Sequence, residues 1–220
     1  MIYFDNAATT RTAPEVAEKM TEMLCENYGN PATVSALGLK AAKVIRAAQE
    51  TLAKGIHAKA DEIYFTSGGT EGDNWAIRGT AMGYQRMGKH LITTAVEHPA
   101  VKNPMKALEE EGFEVTYLAV DRKGYISLDE LAAAIRPDTI LVSTIFINNE
   151  TGTIQDVAAI GALVKEKNPN TIYHVDAVQA FGKYPIDVQK MKIDLLTMSG
   201  HKIHAPKGTG MFFMRDGLKV

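Results

Sequence analysis

Six short runs rich in β-branched and aromatic residues recur along the chain: EIYFT (62–66), HLITTAV (90–96), EVTYLAV (114–120), TILVSTIF (139–146), TIYHVDA (171–177) and DLLTMS (194–199). Around them lie PEVAEKMTEMLCENY (14–28), LKAAKVIRAAQETLAK (39–54), PAVKNPMKALEEEG (99–112) and VAAIGALVKEKN (157–168), whose apolar residues recur at helical spacing. Strands that alternate with helices are joined by βαβ crossovers, which predicts an α/β fold: a mainly parallel sheet with helices on both faces. No repeat of fixed period and no low-complexity linker interrupts the pattern, so it reads as one continuous domain. The last stretch, GMFFMRDGLKV (210–220), reads as a strand and a turn with no closing helix. From that ending, uncovered apolar surface is expected near Met211, Phe212 and Phe213, which implies self-association or a partner.

A chain of 220 residues with 45% apolar content can bury one sizeable core, and a net charge of −2 with interspersed signs leaves no basic stripe for nucleic acid or a membrane surface. The opening MIYFDNAATT has no charged segment followed by an apolar one, and no unbroken apolar run approaches a membrane span. A cytoplasmic small-molecule protein is the expectation. The single cysteine, Cys25, excludes an internal disulfide and multi-thiolate zinc sites, and no metal is expected. It falls at the edge of the apolar stripe Val16, Ala17, Met20, Met23 and Leu24, so it is expected to be packed, with Glu26 opposing a thiolate.

In open parallel sheets ligands bind beyond the carboxyl ends of the strands. After EIYFT comes SGGTEGDNWAIRG (67–79), a glycine turn entering a helix, with Gly68, Gly69 and Thr70 suited to a phosphate or simply to a tight connection. After HLITTAV comes Glu97-His98-Pro99; His98 either caps the next helix or offers a titratable ring that stacks on a planar group. After TILVSTIF, residues Asn148 to Gly152 form a polar turn. After TIYHV comes Asp176, which either caps a helix or, buried, needs a cation such as a protonated pyridine nitrogen. DLLTMS delivers Ser199-Gly200-His201-Lys202, where a lysine beside a hydroxyl and an imidazole can form a Schiff base. Together these turns supply a phosphate nest, a stacking ring, a pyridinium partner and an amine.

Asp5 to Thr10, Tyr28-Gly29-Asn30-Pro31, Phe65 to Glu71, Glu97-His98, Asn148 to Gly152, Asp176 to Gln179 and Ser199 to Lys202 occur in an order and spacing that resembles the NifS and IscS group of cysteine desulfurases, within the class V aminotransferase-like enzymes that use pyridoxal 5′-phosphate (PLP). The resemblance implies the large domain of a fold type I PLP enzyme, truncated before its small domain: an N-terminal arm and helix lining the active site (1–30) and an incomplete PLP-binding domain (31–220). It implies that Lys202 anchors PLP and moves the substrate Cα proton, that Asp176 keeps the pyridine nitrogen protonated, and that Gln179 bonds the ring hydroxyl side. His98 stacks on the ring and assists proton transfer, Asn149 contacts cofactor or substrate, and Gly69, Thr70, Ser199 and His201 bind the phosphate.

The same resemblance implies L-cysteine as substrate, L-alanine as product, and sulfur passed through an enzyme persulfide to a scaffold for iron–sulfur cluster assembly or to tRNA thiolation, in a homodimer. Members of the group run to nearly double this length; their further part carries the nucleophilic cysteine, the substrate-binding arginine and a phosphate contact lent across the dimer. Ser35 stands where many members have histidine and Gly72 where many have serine. The alternatives are a non-catalytic PLP-binding or dimerising remnant, or half of a split enzyme, and a class V aminotransferase or lyase acting on another amino acid.

Overall fold

The computed structural model describes residues 2–220. Seven strands form one sheet: β1 (Ile63–Thr66), β2 (His90–Thr94), β3 (Glu114–Leu118), β4 (Thr139–Ile145), β5 (Ile172–Asp176), β6 (Leu195–Ser199) and β7 (Gly210–Met214). Their order is β1-β7-β6-β5-β4-β2-β3, and β7 alone runs antiparallel to its neighbours. The six helices are α1 (Pro14–Cys25), α2 (Ala36–Gly55), α3 (Gly69–Tyr84), α4 (Pro99–Glu110), α5 (Leu128–Ala134) and α6 (Val157–Lys167). Their starts follow local chemistry. Ser35, Ser127 and Asp156 accept the amides of Gly38, Glu130 and Ala159, and Pro14 and Pro99 occupy first turns where no amide is needed. Helix α5 has no counterpart among the amphipathic stretches read from sequence; it is seven residues long with one buried side chain, Leu131.

Successive strand residues point to opposite faces, and the core divides accordingly. Ile92, Val142, Tyr173, Leu196 and Phe213 pack with Ala53, Leu131, Ile160 and Val164 from α2, α5 and α6. Leu91, Leu141, Ile172, Leu195 and Phe212 pack with Ala76, Ile77, Val101 and Met105 from α3 and α4. Strands β2, β4, β5 and β6 are buried along their whole length, as a sheet covered on both faces requires. No helix is long and apolar enough to cross a membrane among the described residues.

Two expectations fail here. Met211, Phe212 and Phe213 are buried, not uncovered, because β7 turns back and inserts between β1 and β6, so that both of its faces are roofed. Cys25 is exposed, not packed, because α1 buries no residue at all and its apolar stripe has no covering element.

Candidate active site

The carboxyl ends of β1, β2, β4, β5 and β6 share one edge of the sheet, and a cavity of about 380 Å³ opens there. Gly69, Thr70, His98, Asn149, Asp176, Gln179, Ser199, His201 and Lys202 all line it. The topology brings these residues, spread over more than a hundred positions, to one wall-to-wall site. Asp5, Ala7, Ala8 and Asp73 line it as well.

At one end of the cavity β1 runs into α3 through Gly68, whose φ of +148° only glycine adopts without strain. No side chain caps this helix, and its first internal bond runs from the Gly72 amide to the Gly68 carbonyl, leaving the amides of Gly69, Thr70 and Glu71 without a helical partner. Uncapped amides and the positive end of the helix dipole are an anion site, with Ser199 and His201 lining the same cavity. Burial lowers the His201 pKa, and the Lys202 and Lys207 ammonium groups lower it further.

Asp176 closes β5 and is buried. It accepts the Val178 amide at 2.9 Å in a turn, with no helix after it to cap, so the helix-capping reading fails, and no other hydrogen bond to this carboxylate occurs among the described residues. Burial pushes its pKa up to about 6 against the opposing pull of the Val178 amide and Lys202. A buried carboxylate with one bond wants a cation. His98 caps α4, its Nδ1 accepting the Ala100 amide at 3.1 Å, and it also lines the cavity. Its pKa is lowered, first by burial and then by Lys202. Asn148 folds the next turn on itself, accepting the Glu150 and Thr151 amides at 2.9 Å, which presents Asn149 to the cavity.

Lys202 sits in a single 3-10 turn after β6, and Nζ donates to the carbonyls of Ala7 at 2.6 Å and Ala8 at 2.8 Å. Burial and then Lys183 lower its pKa, with Asp176 and Asp5 opposing. The Ala7 carbonyl also accepts from Gln179 Nε2 at 2.9 Å, whose Oε1 accepts from Lys183 Nζ at 3.2 Å. The N-terminal arm is thus bound to the lysine turn. Thr10 donates Oγ1 to the His201 carbonyl at 3.0 Å and accepts the His204 amide at 2.7 Å, and His201 Nδ1 lies 3.1 Å from Thr9 Oγ1.

The sequence reading placed the arm and helix of 1–30 at the site, where of that stretch Asp5, Ala7 and Ala8 line the cavity; it passed over Asp73 and the charge state of Glu97. Both are buried acids: Glu97 accepts Thr94 Oγ1 at 2.6 Å and the Ile145 amide at 2.8 Å, and burial raises its pKa to about 8. The available signal for Asp73 was its place four residues after Gly69, on the same helix face. Cys25 is not among the cavity residues.

An uncapped helix start, an underbonded buried carboxylate and a partly buried amine with a depressed pKa, around one cavity, fit a phosphorylated pyridine aldehyde. The aminotransferase class-V family model matches residues 2–220. The chain is 48% identical over 219 residues to a cysteine desulfurase IscS of Clostridium botulinum (strain Hall), an alignment that takes in all of this chain and 55% of the relative. A solved NifS-like protein superposes with a TM-score of 0.97 at 42% identity, covering 100% of this chain and 60% of that one. A structure described as SspA in complex with cysteine superposes at 0.92 with 39% identity, covering 98% and 62%. The chain therefore spans little more than half the length of the curated relatives it matches. It belongs to the aminotransferase class-V family, whose cofactor is pyridoxal 5′-phosphate, and within it is similar to IscS and NifS-like proteins.

Proposed function

We propose that this chain forms the cofactor-binding part of a cysteine desulfurase that takes L-cysteine, releases L-alanine and hands the sulfur to an acceptor for iron–sulfur cluster assembly or tRNA thiolation. The observation that carries the reading is the convergence of the uncapped α3 start, Asp176 and Lys202 on one cavity of about 380 Å³. PLP, when bound, supplies an electron sink for the charge left on the substrate Cα. The amides of Gly69 and Thr70, with Ser199 and His201, hold its phosphate; Asp176 holds the ring-nitrogen proton; Gln179 bonds the hydroxyl side. Lys202 anchors the cofactor and takes the substrate Cα proton, for which its lowered pKa suits it, since a depressed amine is free base in larger share near neutral pH. His98, neutral for the same reason, covers the ring face and accepts or returns a proton, and Asn149 orients the substrate.

The stretch 1–30 is read as an arm and helix at the active site, with Asp5, Ala7 and Ala8 on the cavity, and 31–220 as an incomplete binding domain, in a cytoplasmic homodimer. The sulfur-accepting thiol is not Cys25, which stands outside the cavity. The test is incubation with PLP, L-cysteine and dithiothreitol in D₂O, the dithiol supplying the two electrons that release transferred sulfur as sulfide, following Cα proton exchange, alanine and sulfide. Exchange that Lys202→Ala abolishes, with slow sulfide release unchanged in Cys25→Ser, is the expected result. Sulfide release lost in Cys25→Ser would make Cys25 the acceptor; exchange with other amino acids and none with cysteine would favour an aminotransferase or lyase, and no exchange at all a non-catalytic PLP-binding chain.

A further inference from the structure

Asp73 is 1% exposed, lines the cavity from below, and neither of its carboxyl oxygens has a hydrogen-bond partner. It is there because Gly72 lets α3 approach β6 closely: a Cβ at Gly72 would lie 2.6 Å from Thr197 Cγ2. Asp73 Oδ1 is 3.5 Å from His174 Nε2, which also lies 3.1 Å from Thr197 Oγ1, while His174 Nδ1 lies 2.8 Å from Ser143 Oγ. Residues two apart on a strand share a face, so His174 and Asp176 on β5 point the same way, and Thr197 is the cross-strand partner of Asp176. Asp73 and Asp176, both buried, therefore line one cavity close enough to feel each other's charge, with Glu97 as the third acid nearby.

We propose that Asp73 and Asp176 share a single negative charge beneath the ring site, Asp176 carrying the charge and Asp73 the proton, which makes Asp73 a positioning residue for the ring-nitrogen cation. The purpose assigned to the pair rests on the PLP reading; the shared charge does not. Two carboxyls in a dehydrated site do not both ionise. Lys202 balances part of the Asp176 charge, while beside Asp73 burial pushes the His174 pKa down to about 3 and keeps that ring neutral. Burial and then the Asp176 charge hold Asp73 far above the usual carboxyl range, and Glu97 adds to it, while the Thr197 hydroxyl pulls the other way.

Carboxyl ¹³C NMR titration of the cofactor-free chain tests the sharing directly, with Asp73→Asn and Asp176→Asn assigning the signals. Asp73 should stay protonated at pH 7.5 in the native chain, and its midpoint should fall by at least about one pH unit, a tenfold change in proton affinity, in Asp176→Asn. An ionised Asp73 at pH 7.5, or a midpoint unmoved by Asp176→Asn, overturns the proposal. If Asp73→Asn does not fold, the Asp176→Asn titration alone decides. A purely structural Asp73 is separated by PLP titration followed by absorbance. Asp73→Asn should change the dissociation constant less than about threefold in the native background and raise it at least about tenfold in Asp176→Asn, where Asp73 has taken over the charge. Equal effects in both backgrounds refute that role. Failure of the native chain to bind PLP would refute the proposed function and leave the carboxyl titration standing.

Discussion

Thr10→Val removes a hydroxyl from the contact between the N-terminal arm and the lysine turn while nearly keeping the side-chain shape. Thr10 is 6% exposed, and its Oγ1 serves twice, donating to the His201 carbonyl and accepting the His204 amide. The backbone bonds from the Thr10 amide to His201 and from the Ala13 amide to His204 remain. Two hydrogen bonds at a net of about 0.5–1.5 kcal/mol each would give about 1–3 kcal/mol. His204 is exposed, so water replaces part of what its amide loses, and about 1–2 kcal/mol is the better figure. That is roughly a 5–30-fold shift in the equilibrium between attached and detached arm. Amide hydrogen exchange reads it at Thr10 and Ala13, which should lose protection by that factor, while amides of β4 should not change. Thr10→Ser, which keeps the hydroxyl, should lose much less. Exchange at Ala13 within twofold of native in Thr10→Val would refute the idea that this hydroxyl holds the arm.

Glu97 is protonated in the fold and ionised in the unfolded chain over roughly pH 5–7.5, since burial raises its pKa from 4.5 to about 8; the folded state then holds the extra proton, and stability falls as pH rises. Glu97→Gln should flatten the slope of unfolding free energy against pH by about 1.4 kcal/mol per pH unit in that window, measured by urea melts, and an unchanged slope would mean that Glu97 is ionised in the fold. Asp194 is buried, pairs with Lys165 and Arg215, and accepts the Tyr173 amide at 2.7 Å. Asp194→Ala should cost about 2–3 kcal/mol by the same melts, less than for a fully buried pair because both cations are partly exposed and can rehydrate. Phe213→Ala should cost about 3–5 kcal/mol, given full burial between two layers; a loss under about 1 kcal/mol would mean that β7 is not part of the core.

The strand-end residues were legible because each follows a β-rich run and the doubly wound topology leaves little choice about where strand ends meet. Lys202, Asp176 and His98 could be read as a set for that reason. What escaped has no local periodic signal. The placement of β7 depends on pairing with β1, about a hundred and fifty residues away in sequence, so the burial of Phe212 and Phe213 could not be read from their own neighbours. An amphipathic stripe states that a helix can be covered, not that it is, and α1 shows the difference at Cys25. Asp73 was hidden inside a helix, where a lone acid ordinarily faces water; only the close approach permitted by Gly72 turns it inward.

The most direct test of the site is chemical trapping of the lysine. The chain, loaded with PLP, is reduced with borohydride, digested, and the pyridoxyl-modified peptide located by mass spectrometry. Modification should fall on Lys202 and disappear in Lys202→Ala, along with the visible absorbance of the bound cofactor. A label that lands on Lys183 or Lys207 in the native chain, or survives Lys202→Ala at full yield, would contradict the assignment of Lys202 and of the cavity built around it.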